Sequence, residues 1–328
     1  MARFAVIGAT SWGVTLAWLL LRGGHAVTIV TRTEAEADAV RTRHGVERLP
    51  STTLAGELDV TRLAEFAPNV DGIVLAVPAQ SLRITLSATD LGSAPVLSAA
   101  KGIELGTGQR MSEVAQQFSR AAISALSGPN LSHEIVAGLP AAAVVASADS
   151  GSATMWRDAL SVGAFRAYTS ADVIGVELGG ALKNVVAIAA GAAWGLDFGA
   201  NAVATIMTRG LAEITRLGLT MGADALTFQG LAGVGDLAAT CFSPLSRNRR
   251  LGELLSSGIS PDIALKQIGQ TVEGAATARV AVELGLRMGV ELPIAAEVVA
   301  VLDARRSVPE AMERLLRRPL GPEVAPFR

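Results

Sequence analysis

The sequence predicts two domains of different class: an α/β N-terminal domain built on a parallel sheet over residues 1–171, and an all-α C-terminal domain over residues 172–328. Three observations predict this. Two apolar runs, residues 4–8 and 26–30, flank a helical stretch at 12–21, the strand–helix–strand order of a βαβ unit. Further isolated apolar runs at 71–78, 94–98, 122–126, 141–146 and 165–168 read as buried strands of a parallel sheet, the first of them ending in a proline stop. From about Asp172 the chain changes to long Ala/Leu segments separated by glycine turns, the pattern of helices without strands. Residues 305–318 read as a solvated, charge-mixed terminal helix.

The first segment needs separate justification, because Arg3 is followed by uncharged residues as far as Leu21 and could imitate a signal peptide or a membrane span. Gly8 and Gly13 break it, Thr10, Ser11 and Thr15 lie within it, and it runs on towards another strand without a clear small-residue cleavage site. It is expected to be the first strand and helix of a folded domain, with no membrane span. A formal charge of -2 argues against a general nucleic-acid binder, while leaving room for a local basic cluster that meets an anionic substrate. The single cysteine, Cys241, excludes an intrachain disulfide framework, fits a reducing compartment and reads as a buried small hydrophobe. His25, His44 and His133 have no paired spacing, so no metal site is expected.

In the helical half, Gly175-Val-Glu-Leu-Gly-Gly-Ala-Leu-Lys-Asn-Val-Val-Ala-Ile-Ala-Ala-Gly191 sets one amine, Lys183, in an apolar helix. Gly180 and Gly179 lie three and four residues back, so its helix face is bare enough for a small molecule. A desolvated ammonium there would be an adjustable acid; the alternative is a lysine snorkelling to water from the rim of a core helix. Of the 28 Lys and Arg residues only Lys101, Lys183 and Lys266 are lysine, which suggests that lysine is kept where a compact titratable amine is needed. Lys101 also has an uncharged setting, whereas Lys266 resembles an ordinary helix lysine.

The first strand–helix turn reads Gly8-Ala-Thr-Ser-Trp-Gly13, or G-x-T-x-x-G. The first glycine makes the turn, the third lets helix and strand pack, and the missing middle glycine normally lets a pyrophosphate approach the backbone. Thr10 puts a branched side chain there, which is expected to weaken dinucleotide binding, partly offset if its hydroxyl donates to a phosphate oxygen. A domain that has lost its ligand is the alternative. After the second strand stands Thr31-Arg32, where NAD-selective folds place an acid; the arginine suits a 2′-phosphate or is simply a surface cation. Later, glycines crowd towards Asp236, and Ser246-Arg-Asn-Arg-Arg250 gathers charge and hydrogen-bond donors near a helix start. Asp236 could pair the lysine amine or cap a helix, and the arginines could bind phosphate or form a solvated face.

Taken in order, these segments, together with Ser98-Ala-Ala-Lys-Gly-Ile-Glu104, Ser127-Gly-Pro-Asn130, Thr208-Arg-Gly-Leu-Ala-Glu213 and Val272-Glu-Gly274, resemble the bacterial NAD(P)-dependent glycerol-3-phosphate dehydrogenase family from residue 4 to about 302. The resemblance implies a Rossmann-type N-terminal domain and a helical substrate domain. It also implies reversible reduction of dihydroxyacetone phosphate to sn-glycerol 3-phosphate by NADPH or NADH, in the cytoplasm, for glycerophospholipid synthesis, by a homodimer.

Carried over, Lys183 matches the catalytic lysine and Lys101 a lysine touching cofactor and substrate. Gly128, Asn130, Asp236, Ser246, Arg247 and Asn248 fall on substrate positions. Gly8, Ser11, Trp12, Gly13, Arg32, Ser132, Glu273 and also Arg247 fall on cofactor positions. Three residues depart from the pattern: Thr10 for the usual glycine, Asn130 where Ser or Thr is common, and Ser132 where Ala is common. In this reading Lys183 protonates the developing alkoxide, Lys101 helps to stabilise it, Asp236 holds the amine, and the Arg247 region binds the phosphate. The competing readings are a reductase of another small ketone and a non-catalytic sensor of dinucleotide or phosphometabolite.

Overall fold

The computed structural model describes residues 1–49 and 52–319. The chain forms two compact units, one of Met1–Glu104 with Gln109–Glu177, the other of Leu105–Gly108 with the chain from Leu178 onward.

The first unit contains β1 (Arg3–Ile7), α1 (Ser11–Arg22), β2 (Ala26–Thr31), α2 (Glu34–Arg43), β3 (Leu58–Arg62), β4 (Gly72–Leu75), α3 (Leu82–Ser87), β5 (Val96–Ser98), α4 (Met111–Gln116), β6 (Ile123–Ser127), α5 (Ser132–Val136), β7 (Ala141–Ser147), α6 (Ser150–Leu160) and β8 (Phe165–Ser170). The strands form one sheet in the order β3-β2-β1-β4-β5-β6-β7-β8. Side chains alternate across it: Phe4 and Val6 of β1 enter one apolar core, while Ala5 and Ile7 enter the core on the other face. The segment that could have imitated a signal peptide is therefore a central strand and a helix whose residues 13–17 and 19–21 are buried.

Two features depart from the expected sheet. β6 and β7 pair antiparallel, with Leu126 opposite Val145, so the sheet is parallel except at that step. The connection between them holds only the short α5, and β7 turns back beside its neighbour instead of crossing over. The outer strand β3, paired parallel to β2, belongs to no apolar run because only Leu58 and Val60 of its five residues are apolar.

Helices follow: α7 (Val173–Gly195), α8 (Gly199–Thr220), α9 (Ala225–Gln229), α10 (Asp236–Phe242), α11 (Arg247–Ser256), α12 (Pro261–Ile268), α13 (Glu273–Met288), α14 (Pro293–Leu302) and α15 (Val308–Leu316). Among the described residues after β8 there is no strand. α7 begins in the first unit and continues in the second. It is apolar around most of its surface, interrupted by Glu177, Lys183 and Asn184, and 89% of its most apolar window is buried.

Candidate active site

In the second unit, Lys183 does not reach for water. It is 7% exposed, and its Nζ donates to the Asp236 carboxylate and, at 2.8 Å, to Thr240 Oγ1. Thr240 sits one turn beyond Asp236 on α10, and its hydroxyl donates to the Asp236 carbonyl at 2.6 Å. A buried ammonium without partners would be strongly disfavoured; here a carboxylate compensates its charge and a neutral oxygen takes a further hydrogen. Asp236 opens α10 without acting as its cap, so of its two readings the structure takes the one in which it pairs the amine.

The bare helix face beside Lys183 has a different use from the one expected. A π-helical turn, Leu231–Gly235, leads into Asp236, and the carbonyl of Ala232 packs so closely on Gly179 that any side chain there would run into it. Gly179 therefore admits backbone, and that backbone delivers the carboxylate to the lysine. π-helical turns of this kind inside helical segments recur at functional sites.

Asn184, next to the lysine, accepts from Asn248 Nδ2 at 2.8 Å, and Asn248 Oδ1 accepts from Gly274 N–H at 3.0 Å, so one amide ties α7, α11 and α13 together. The three residues expected to meet phosphate differ in setting. Ser246 is buried and caps α11 by accepting from Arg249 N–H at 3.2 Å, and Asn248 is buried in the bridge just described. Arg247 is exposed, its guanidinium donating to Thr271 O at 2.7 Å, two residues before Glu273 opens α13. Cys241 is fully buried; burial pushes its thiol up to about 12, which fits an inert hydrophobe and not a nucleophile. Glu213 is also buried, and loss of hydration pushes its carboxyl up to about 7 against the opposing pull of the Ile294 and Ala295 amides at the start of α14.

In the first unit, Gly8 takes φ +114° and Gly13 packs so tightly on the Gly8 carbonyl that a side chain there is excluded, as a dinucleotide turn requires. Thr10 corrects the sequence reading. It is the N-cap of α1: its hydroxyl oxygen accepts from Gly13 N–H at 3.0 Å and its one proton goes to the Ala76 carbonyl at 2.8 Å. It therefore has no proton to give a phosphate oxygen. Ser11 and Trp12 follow as the first two residues of α1, whose amides precede the intrahelical bonds and face outward as an anion-binding end.

Lys101 donates to the Gly128 carbonyl at 2.8 Å, Gly128 being held at φ +139° against the backbone of Ala143. Asn130 beyond it has a buried side-chain amide whose oxygen and nitrogen both lack a partner, and Ser132 opens α5. A buried amide with both atoms unpartnered is one that a bound ligand can complete. Arg32 is exposed and held loosely by Glu36 at 3.3 Å, and Glu36 also accepts from the Arg32 N–H at 3.0 Å. The glycine turn and the helix end together fit a dinucleotide. Among the described residues, no three His, Cys, Asp or Glu side chains are grouped to hold a metal ion.

Thr240 and Asn184 are the polar residues that reading the sequence passed over. Asn184 adjoins the lysine, and Thr240 follows the aspartate at the spacing of one helical turn; those spacings were the available signals.

Two family models cover most of the chain. One described as the NAD-dependent glycerol-3-phosphate dehydrogenase N-terminus matches residues 3–153, and one described as its C-terminus matches residues 172–313. A glycerol-3-phosphate dehydrogenase [NAD(P)+] of Corynebacterium glutamicum (strain R) is 45% identical, with 97% of this chain and 98% of the relative covered. One of Thermobifida fusca (strain YX) is 44% identical, with 98% and 99% covered. The crystal structure of glycerol-3-phosphate dehydrogenase from Coxiella burnetii superposes with a TM-score of 0.91 at 32% identity, covering 97% of this chain and 99% of that one. The chain belongs to the NAD-dependent glycerol-3-phosphate dehydrogenase family.

Proposed function

We propose that this protein reversibly reduces dihydroxyacetone phosphate to sn-glycerol 3-phosphate, with NADPH or NADH as reductant. The observation that carries the reading is the buried Lys183 ammonium, held by Asp236 and Thr240 on a helix that has no need of a charge for its own packing. A nicotinamide dinucleotide held by the Gly8–Gly13 turn and the start of α1 would supply the hydride for the ketone carbon. Lys183 gives a proton to the oxygen that becomes an alkoxide, and Asp236 and Thr240 fix the direction in which the amine points. Lys101, Gly128 and Asn130 contact the substrate, and Ser246, Arg247 and Asn248 bind its phosphate, using remote binding energy to orient the reacting carbon.

Residues 1–171 act as the dinucleotide domain, through Gly8, Ser11, Trp12, Gly13, Arg32 and Ser132, with Lys101 also touching the cofactor. Residues 172–328 act as the substrate domain, with Glu273 and Arg247 reaching the cofactor from it. An exposed arginine in a 3.3 Å surface pair is cheaply redirected to a 2′-phosphate, so Arg32 supports use of NADPH beside NADH. We place the enzyme in the cytoplasm, as a homodimer that supplies glycerophospholipid synthesis. The test is oxidation of each reduced nicotinamide by purified protein with and without dihydroxyacetone phosphate. Oxidation that needs the phosphorylated triose is expected. Tight dinucleotide binding with no turnover favours a sensor, and equal rates with an unphosphorylated ketone favour a different reductase.

A further inference from the structure

The loop that carries Lys101 is gripped just past the lysine by a side chain from another part of the first unit. Glu104 is buried, and Arg83 of α3 meets it with two parallel bonds, Nε to Oε1 at 2.8 Å and Nη2 to Oε2 at 2.9 Å. The same guanidinium reaches Gln109 Oε1 at 2.9 Å and Gln117 Oε1 at 2.6 Å, so it lies at the centre of a polar cluster. The backbone is held as well: Glu104 N–H donates to Gln109 O at 2.9 Å, and Gln80 Nε2 donates to Ile103 O at 2.8 Å. A paired guanidinium and carboxylate in fork geometry is far more rigid than a single-point surface pair.

Lysine places its charge at the end of a flexible four-carbon stem, so the position of the ammonium is defined only as well as the backbone beneath it. Lys101 has its amine tied to Gly128 O at one end, and only Gly102 separates its backbone from the gripped residues at the other. No part of this grip is needed to complete the sheet, because β5 has already ended at Ser98. We propose that Arg83 and Glu104 are positioning residues that set where the Lys101 ammonium is held, and through it the rate of ketone reduction. This rests on the reading of Lys101 as a substrate and cofactor contact.

The test is a double-variant cycle on the full chain with dihydroxyacetone phosphate and saturating reduced nicotinamide, each protein checked by thermal midpoint. Glu104→Gln is expected to lower kcat/KM on the order of 10- to 100-fold, the cost of a misplacement near 1 Å, and to cause no further loss in a Lys101→Ala background. Arg83→Lys keeps a charge on Glu104 and is expected to recover part of the activity lost in Arg83→Gln. Losses that multiply in the double variant, or near-parental kinetics in folded Glu104→Gln or in Lys101→Ala, overturn the proposal. If Glu104→Gln does not fold, Arg83→Gln and Arg83→Lys run the same cycle against Lys101→Ala with the same two outcomes. A parent protein that does not oxidise reduced nicotinamide with dihydroxyacetone phosphate overturns the functional reading, and this inference falls with it. A competent parent with an additive cycle overturns this inference alone.

Discussion

Thr10 and Lys183 each set a polar side chain against apolar packing, Thr10 at the first turn of α1 and Lys183 in the middle of α7. Thr10 is neutral and serves the backbone, joining a helix end to the carbonyl of Ala76. Lys183 is charged and serves another side chain, with Asp236 held against it by a turn that only a glycine at 179 admits. Removing a neutral cap forfeits its own hydrogen bonds, whereas removing one member of a buried ion pair strands the other member's charge. The first arrangement tolerates a substitution and the second does not.

Predictions drawn from this contrast run from large to small. Lys183→Ala is expected to lower turnover by about 10² to 10⁴. Leaving Asp236 uncompensated should also cost about 3 to 5 kcal/mol of stability. Dinucleotide binding should survive in the folded fraction, as fluorescence titration would show; near-parental turnover would break the contrast.

Arg247→Ala comes next, because its guanidinium is exposed and donates to the Thr271 carbonyl just before α13. Saturation curves should show KM for dihydroxyacetone phosphate rising by roughly tenfold or more, the share of a charge-assisted contact, with a smaller rise for the cofactor. A rise confined to the cofactor would move Arg247 to the dinucleotide side.

Glu213 extends the contrast to a buried carboxyl that accepts from the Ile294 and Ala295 amides at the start of α14. Its folded-state value of about 7 lies above the ordinary 4.5, so between those values the folded chain keeps a proton that the unfolded chain has released. This group's contribution is therefore fully present below about pH 4.5, is lost as pH rises towards 7, and changes little above it. The slope is about 1.4 kcal/mol per pH unit within that window. Denaturant titrations across the window should show that slope in the parent and lose it in Glu213→Gln; an identical slope in both would remove Glu213 as its source.

The smallest effect is expected at Thr10, and it has two signs. Thr10→Gly removes the bond to Ala76 and the cap on Gly13, which should lower stability by about 0.5 to 1.5 kcal/mol. It also releases the Gly13 amide for a phosphate oxygen, so calorimetric titration should show tighter binding of reduced nicotinamide by a less stable protein. Stability and affinity that fall together would mean that the cap preorganises the phosphate site.

Much of this was legible in the sequence because burial leaves a periodic trace. The first strand and helix show as an apolar run and a 3.6-residue pattern, and Lys183 shows as a charge with no charged neighbour downstream until Asp197. β3 left no trace because an outer strand with two apolar residues resembles a loop, and the reversal at β7 left none because a buried run reads the same in either direction. The one-turn spacing of Thr240 from Asp236 is visible in the sequence, but its bond to a lysine 57 residues away appears only once α7 and α10 are packed together. The direction of the Thr10 hydroxyl depends on backbone angles, so the two uses it could have had were indistinguishable before the turn was seen.

The burial of α7 has a consequence for the chain while it is being made. Before its neighbours exist, Val173–Gly195 is a segment long and apolar enough to cross a bilayer, its most apolar window having a mean hydropathy of 1.6. Lys183 falls near its middle, where a lysine opposes insertion by about 2.5 to 3.5 kcal/mol. With Glu177 also in the segment, Lys183 lowers the tendency of the emerging helix to enter a bilayer, and Lys183→Leu is expected to raise that tendency as it removes the amine.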